Sequence, residues 1–274
     1  MTDAGETFSI TQPPPHRAAG ALVFGSPHSG DLYPDDMAAA GDLSIHSLRS
    51  AEDALVAQLV ADGPRHGAPL IVGRLGRAYV DLNRDPDELD PALIEGAQGP
   101  VGAKTAAGYG VMPRLTGDGR PLYDRRLTLD EARRRIAAAH KPYHAALAAL
   151  MHTARERQGR AVLVDWHSMP TRAAGAEVVL GDRHGSACRA RLTRRLRDLF
   201  QAAGWRVSLN LPYAGGWSTQ SWGRPDDGFE AIQIEISRGL YLDEATLRPN
   251  ATFDLTRRMV SRVIAALCAE DWAA

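Results

Sequence analysis

The sequence predicts an α/β protein, one sheet with helices on both faces. Two observations lead there. First, short apolar runs rich in Val, Ile and Leu recur along the chain: ALVFGS before His28, PLIVGRL, AYVDLN, AVLVDW, WRVSLNL and AIQIEIS. Runs of this length read as buried strands. Second, several of them are separated by stretches whose apolar positions return at helical spacing. Strands alternating with helices favour a sheet covered by helices over an all-α or all-β architecture.

Each element has its own warrant. Residues 1–15 are polar and proline-rich and read as an extended lead-in, with a single domain over 16–274. The first strand ends at Ser26. Leu48, Ala51, Leu55 and Leu59 mark an amphipathic helix over Ser44–Ala61, broken by Gly63-Pro64. PLIVGRL and AYVDLN follow as two strands. From Arg84 to Arg126 the chain is rich in Pro, Gly and Asp, an irregular region of a length that usually serves function or is disordered. Thr128–Arg157 reads as a long helix with Asp130 and Glu131 in its first turn, kinked or split at Pro142. After AVLVDW comes a loop to Gly185, then a helix capped by Ser186 and running to Ala203. WRVSLNL, a Gly-rich stretch and AIQIEIS precede a last helix opened by Asp243-Glu244 and ending near Ala269.

Bulk properties narrow the class. The 274 residues are 44% hydrophobic and 24% charged, with a net charge of −1. That balance gives no electrostatic reason to expect nucleic acid or an anionic membrane as partner. Cys188 and Cys268 form no C-x-x-C pair, so neither a disulfide framework nor a cysteine-based zinc site is expected. The N-terminus lacks a basic start followed by an apolar stretch, and no run approaches the ~18 apolar residues of a membrane span. A soluble, cytoplasmic protein is the expectation, and a homo-oligomer is compatible with it.

The chemistry concentrates at strand ends, where open α/β sheets bind ligands. ALVFGSPHSG and AVLVDWHSMP each stop at a His-Ser pair, His28-Ser29 and His167-Ser168. Imidazole is the commonest metal ligand, and a catalytic zinc usually takes three protein ligands. Two carboxylates compete for the third place: Asp31, in an H-x-x-D unit with His28, and Asp53, on the following helix beside Glu52. Glu235 stands among alternating Ile232, Ile234 and Ile236, where propensity disfavours a carboxylate. It is either one face of a half-exposed edge strand or a general base directed at activated water. In GRAYVDLNRDP, Asp81, Asn83 and Arg84 close a strand. Asn83 and Arg84 suit a substrate carboxylate, and Arg77 suits a polarised carbonyl. Tyr213, Gly215 and Gly216, with Trp217 and Trp222, form a candidate substrate-covering loop. Ser29 and Ser168 lie outside any G-x-S-x-G, which leaves a serine nucleophile poorly supported.

These segments together resemble the N-formylglutamate amidohydrolase family. The resemblance rests on SPHSG with Tyr33-Pro34, Glu52-Asp53, GRAYVDLNR, Lys141-Pro142-Tyr143-His144, VDWHSMP, and NLPYAGGWST followed by AIQIEISRGLYLDE, in order from Leu22 to Glu244. The D-L-N-R segment is also similar to the wider zinc carboxypeptidase and aspartoacylase group. The resemblance implies a three-layer α/β/α, zinc-carboxypeptidase-like fold with a central mixed sheet. It implies one divalent metal ion, expected to be zinc, on His28, His167 and Asp53, with Asp31 kept as the alternative. Glu235 would be the base, Arg77 the oxyanion stabiliser, and Asn83 and Arg84 the substrate grip. The implied reaction is cleavage of an N-acyl amino acid, foremost N-formyl-L-glutamate. A metallo-carboxypeptidase or amidase acting on a peptide or cell-wall fragment, and a non-catalytic ligand-binding module on the same fold, are the competing expectations.

Overall fold

The computed structural model describes residues 7–99, 101–173 and 175–272. The strands in chain order are β1 (Phe8–Thr11), β2 (Leu22–Ser26), β3 (Leu70–Gly73), β4 (Ile94–Glu95), β5 (Leu127–Thr128), β6 (Ala161–Met169), β7 (Val178–Gly181), β8 (Val207–Leu209), β9 (Phe229–Ser237), β10 (Leu242–Asp243) and β11 (Arg248–Pro249). The α-helices are α1 (Ile45–Arg49), α2 (Val56–Leu59), α3 (Ala103–Ala106), α4 (Leu129–Arg135), α5 (Lys141–Gln158), α6 (Ala190–Ala202), α7 (Trp217–Trp222) and α8 (Phe253–Cys268). Seven strands make one sheet in the order β1-β3-β2-β6-β9-β7-β8. It is mixed: β6 runs parallel to β2 and β9, while β7 is antiparallel to β9. This is the expected α/β class, and Phe8–Thr11 of the lead-in is an edge strand.

Contacts gather the chain into two compact units, one built on Pro27–Asp53 and Val72–Ala146, the other on Ile10–Ser26, Ala54–Ile71 and Leu147–Ala274. In the second, all residues of β6 and of β9 are buried. Strands covered on both faces need apolar side chains throughout, which is what the Val, Leu and Ile runs supply. Phe24 of β2 meets Trp166 of β6 edge to face, ring centroids 5.5 Å apart. Helix α7 packs on β9 and β6, and α8 packs against α6 and α2. Because β9 lies between β6 and β7, the edge-strand reading of AIQIEIS is wrong: its polar side chains are enclosed.

The other unit is mostly turns and loops organised by a helical segment. Thr128 caps α4 by accepting the Glu131 N–H at 3.1 Å, as its sequence position suggests. The long helix is divided, not continuous. A π-helical turn, Ile136–His140, joins α4 to α5 just ahead of Pro142. Proline lacks the N–H that would extend the α ladder, and a wide turn accommodates the loss. Arg135 is buried with its guanidinium 4.5 Å from the Tyr79 ring centroid. It donates to the carbonyl of Met37 at 3.0 Å and to the Tyr123 hydroxyl at 2.8 Å, tying irregular segments to the helix.

Several expectations fail for physical reasons. The Ser44–Ala61 helix exists only as α1 and α2. Between them the chain buries Glu52 and Asp53, and Leu55 takes φ +66°, which no α-helix continues through. AYVDLN is not a strand. Its residues are buried but turn, with the Tyr79 N–H on the Gly76 carbonyl and the Asn83 N–H on the Asp81 carboxylate. Val178–Gly181, read as loop, is a sheet strand. Ser186 does not cap α6. Its hydroxyl donates to the Arg183 carbonyl, and Arg189 occupies the cap. Asp243 pairs in the β10–β11 ladder, so the last helix begins at Phe253.

Candidate active site

The sequence S-P-H-S-G leaves β2 and turns at once. Gly30 permits this: a Cβ there would sit 2.2 Å from the Arg74 carbonyl carbon. The loop so placed binds the segment carrying Asp53, whose N–H donates to the His28 carbonyl at 2.9 Å and whose carbonyl accepts the Ser29 hydroxyl at 3.3 Å. His28 is buried between two buried aspartates. Its Nε2 lies 2.7 Å from Asp81 Oδ1, and its Nδ1 lies 3.4 Å from Asp53 Oδ2.

Asp81 decides which nitrogen of His28 carries a proton. Burial by itself would raise the Asp81 carboxyl, but the Arg77 and Arg84 guanidiniums and the His28 bond hold it well below the ordinary carboxylate range. Arg77 Nε donates to its Oδ2 at 2.8 Å, and the Asn83 N–H donates to Oδ1 at 2.8 Å. An ionised Asp81 only accepts, so Nε2 of His28 donates to it. Nδ1 of His28 faces the carboxylate of Asp53.

The two residues beside this arrangement are otherwise engaged. Glu52 accepts from the Tyr33 hydroxyl at 2.6 Å and from Arg49 at 2.9 Å, and burial pushes its carboxyl up to about 7. Asp31 is exposed and pairs with Arg49 at 3.4 Å. Of the two sequence candidates, Asp53 is the one beside His28. Sequence reading missed the role of Asp81, although D-L-N-R had drawn attention to the segment.

The second histidine repeats the pattern. In β6, His167 Nε2 lies 2.9 Å from Oδ2 of Asp165 on the same strand face. The register aligns Asp165 with Gln233 and His167 with Glu235 of β9. Gln233 Nε2 donates to Glu235 Oε1 at 2.7 Å, and Gln233 Oε1 accepts the Gly216 N–H at 2.8 Å. Strand alternation therefore lines one face of two central strands with Asp165, His167, Gln233 and Glu235. Two adjacent parallel strands also share a direction here: β2 pairs Gly25 with Asp165 and ends at Ser26, two residues before His28.

The remaining candidates are placed as follows. Asn83 is buried, and Arg84 donates from Nε to the Tyr109 carbonyl at 2.8 Å and from Nη1 to the Asn83 carbonyl at 3.0 Å. His140 and His144, from the π turn and α5, reach the carbonyls of Arg84 and Leu82 at 2.9 and 2.7 Å. Tyr213, Gly215 and Gly216 are half-buried. Ser168 accepts from Arg238 at 3.2 Å.

The donor set tests whether a cation fits. Each histidine has a carboxylate on Nε2, the second-shell arrangement that orients metal-ligating imidazoles and leaves Nδ1 as the donor. His28 beside Asp53 in one unit, and His167 beside Asp165 in the other, are all buried, and imidazole nitrogen with carboxylate oxygen is a ligand set zinc accepts.

The sheet is that of a hydrolase of the zinc-carboxypeptidase-like α/β type. The chain belongs to the N-formylglutamate amidohydrolase family, whose sequence pattern matches residues 20–242. It is similar to the crystal structure of an N-formylglutamate amidohydrolase from Ralstonia eutropha JMP134, with 35% identity and a TM-score of 0.90 over 96% of this chain and 97% of that one. It is 28% identical over 240 residues, 84% of each chain, to an N-formylglutamate deformylase of Pseudomonas putida. With a deformylase of the same name from Pseudomonas aeruginosa it shares 30% identity over 187 residues, 65% of this chain and 66% of the other. The chain is thus an enzyme that hydrolyses an amide bond. Among the described residues no helix is long and apolar enough to cross a membrane.

Proposed function

We propose that this enzyme cleaves N-formyl-L-glutamate to formate and L-glutamate with the help of one divalent metal ion, zinc. The substrate reading is supported by the names of its relatives. The metal reading is supported by one observation: two buried histidines each have Nε2 on a carboxylate, and Nδ1 of His28 lies 3.4 Å from Asp53.

His28, Asp53 and His167 are the proposed ligands. A divalent ion held there would supply Lewis acidity. Glu235 takes a proton from the attacking water as its oxygen bonds to the formyl carbon. When the C–N bond breaks, Glu235 passes that proton to the leaving amine, which restores the carboxylate. Arg77 stabilises the oxyanion, a role typically worth a few kcal/mol. Asn83 and Arg84 hold a carboxylate of the substrate, and Tyr213, Gly215 and Gly216 cover it.

A substrate panel tests this. N-formyl-L-glutamate should be hydrolysed with a kcat/KM well above those of other N-acyl amino acids and short peptides. Activity should disappear on chelation and return with zinc. Preference for peptides would overturn the substrate assignment, and full activity without any divalent ion would overturn the metal.

A further inference from the structure

Gln233 is 5% exposed and its side-chain amide is used at both ends. Oε1 accepts the Gly216 N–H at 2.8 Å, and Nε2 donates to Glu235 Oε1 at 2.7 Å. The two partners make opposite demands. A backbone N–H needs an acceptor, and an ionised carboxylate needs a donor. Among side chains of this length only an amide meets both. Glutamate would face Glu235 with like charge, and lysine would face Gly216 with a second donor.

The loop at the far end of this bridge is seated closely on the sheet. Gly181 is the β7 residue aligned with Gln233. A Cβ on Gly181 would lie 2.7 Å from the Ala214 carbonyl carbon and from the Gly215 nitrogen. Gly215 takes φ +114°, a conformation that side chains rarely adopt. Gly216 then opens α7 with its N–H on Gln233. The absence of a side chain at Gly181 and the turn at Gly215 thus bring Gly216 to the amide.

We propose that Gln233 is a positioning residue that couples the 212–216 loop to Glu235. The seated Gly216 N–H fixes which way the amide faces, and the amide fixes the carboxylate. With the loop in place, the bridge holds Glu235 in its working direction. This rests on the assignment of Glu235 as the general base.

Two substitutions separate the halves of the bridge. Gln233→Met removes both bonds at similar volume. Gln233→Glu keeps an acceptor for Gly216 and loses the donor to Glu235. Both should lower kcat by about 10- to 100-fold, the scale of a misdirected catalytic group, with KM little changed. Hydrogen exchange at the Gly216 amide should quicken in Gln233→Met and stay slow in Gln233→Glu. In a Glu235→Gln background, Gln233→Met should add no more than about a two-fold loss, since the two act through one group. Wild-type kcat in Gln233→Met, or a full additive loss in the double variant, overturns the coupling while leaving the base in place. Wild-type kcat in Glu235→Gln overturns the base and the coupling with it. Should Gln233→Met not fold, the near-isosteric Gln233→Glu carries the test.

Discussion

Nε2 of His28 lies 2.7 Å from Oδ1 of Asp81, a residue 53 positions further along the chain. The same relation holds locally between His167 and Asp165, two positions apart at 2.9 Å. One histidine is oriented through a long-range contact and the other through strand alternation, and in both the carboxylate sits on Nε2.

These carboxylates should therefore govern metal affinity without being ligands. Asp81→Asn and Asp165→Asn are each expected to weaken zinc binding by about 10- to 100-fold. Competition titration with a chromophoric chelator measures this. Affinities equal to wild type in both variants would show that the histidines need no such orientation.

Asp53 and Asp31 should separate cleanly. Asp53 is buried 3.4 Å from His28 Nδ1, whereas Asp31 is exposed and pairs with Arg49. Asp53→Ala should abolish stoichiometric metal binding. Asp31→Ala loses only a surface pair, with an effect on stability of about 0–1 kcal/mol. Metal content of the purified variants decides between them, and metal loss in Asp31→Ala would reverse the assignment.

Glu235→Gln should retain the metal and lose turnover. General-base contributions run to about 10²- to 10⁴-fold, and kcat should fall within that range. The pairing of unchanged metal content with lost kcat is the signature, and a rate near wild type would remove Glu235 from the mechanism.

The histidine pair on the helical segment predicts a pH dependence of stability. Burial, and then repulsion from His140, lowers His144 from 6.5 to about 3. Between those values the unfolded chain binds the proton and the folded chain does not. The stability contribution is present above pH 6.5 and is lost as pH falls toward 3. His144→Gln, which keeps a donor for the Leu82 carbonyl, should flatten the fall in Tm between about pH 7 and 4. An unchanged slope would show that His144 titrates alike in both states.

Legibility followed the range of the interaction. β2, β3, β6 and β9 were readable because a buried strand needs a run of apolar side chains, which the sequence displays directly. AYVDLN misled because burial without pairing gives the same run. What turns that segment is the Asp81 carboxylate accepting the Asn83 N–H, with Asp81 itself fixed by His28 and Arg77. The amphipathic pattern over Ser44–Ala61 failed for a related reason. Periodicity records which side chains are buried, and it does not record that Glu52 is tied to Tyr33 and Arg49 while Asp53 is tied to His28 and Ser29.

The sequence by itself determined the α/β class, the two strand-end histidines, the strand carboxylate Glu235 and, through its ordered segments, the family. Those features are local: a few adjacent residues suffice to express them. Tertiary structure decided the partners. It put Asp53 beside His28, with Asp31 left at the surface, and gave Asp81 to His28 Nε2. It enclosed Glu235 between two strands and joined it to Gly216 through Gln233. Which proton a buried imidazole keeps, and which way a carboxylate faces, depend on groups brought close by folding, and no spacing along the chain encodes that distance.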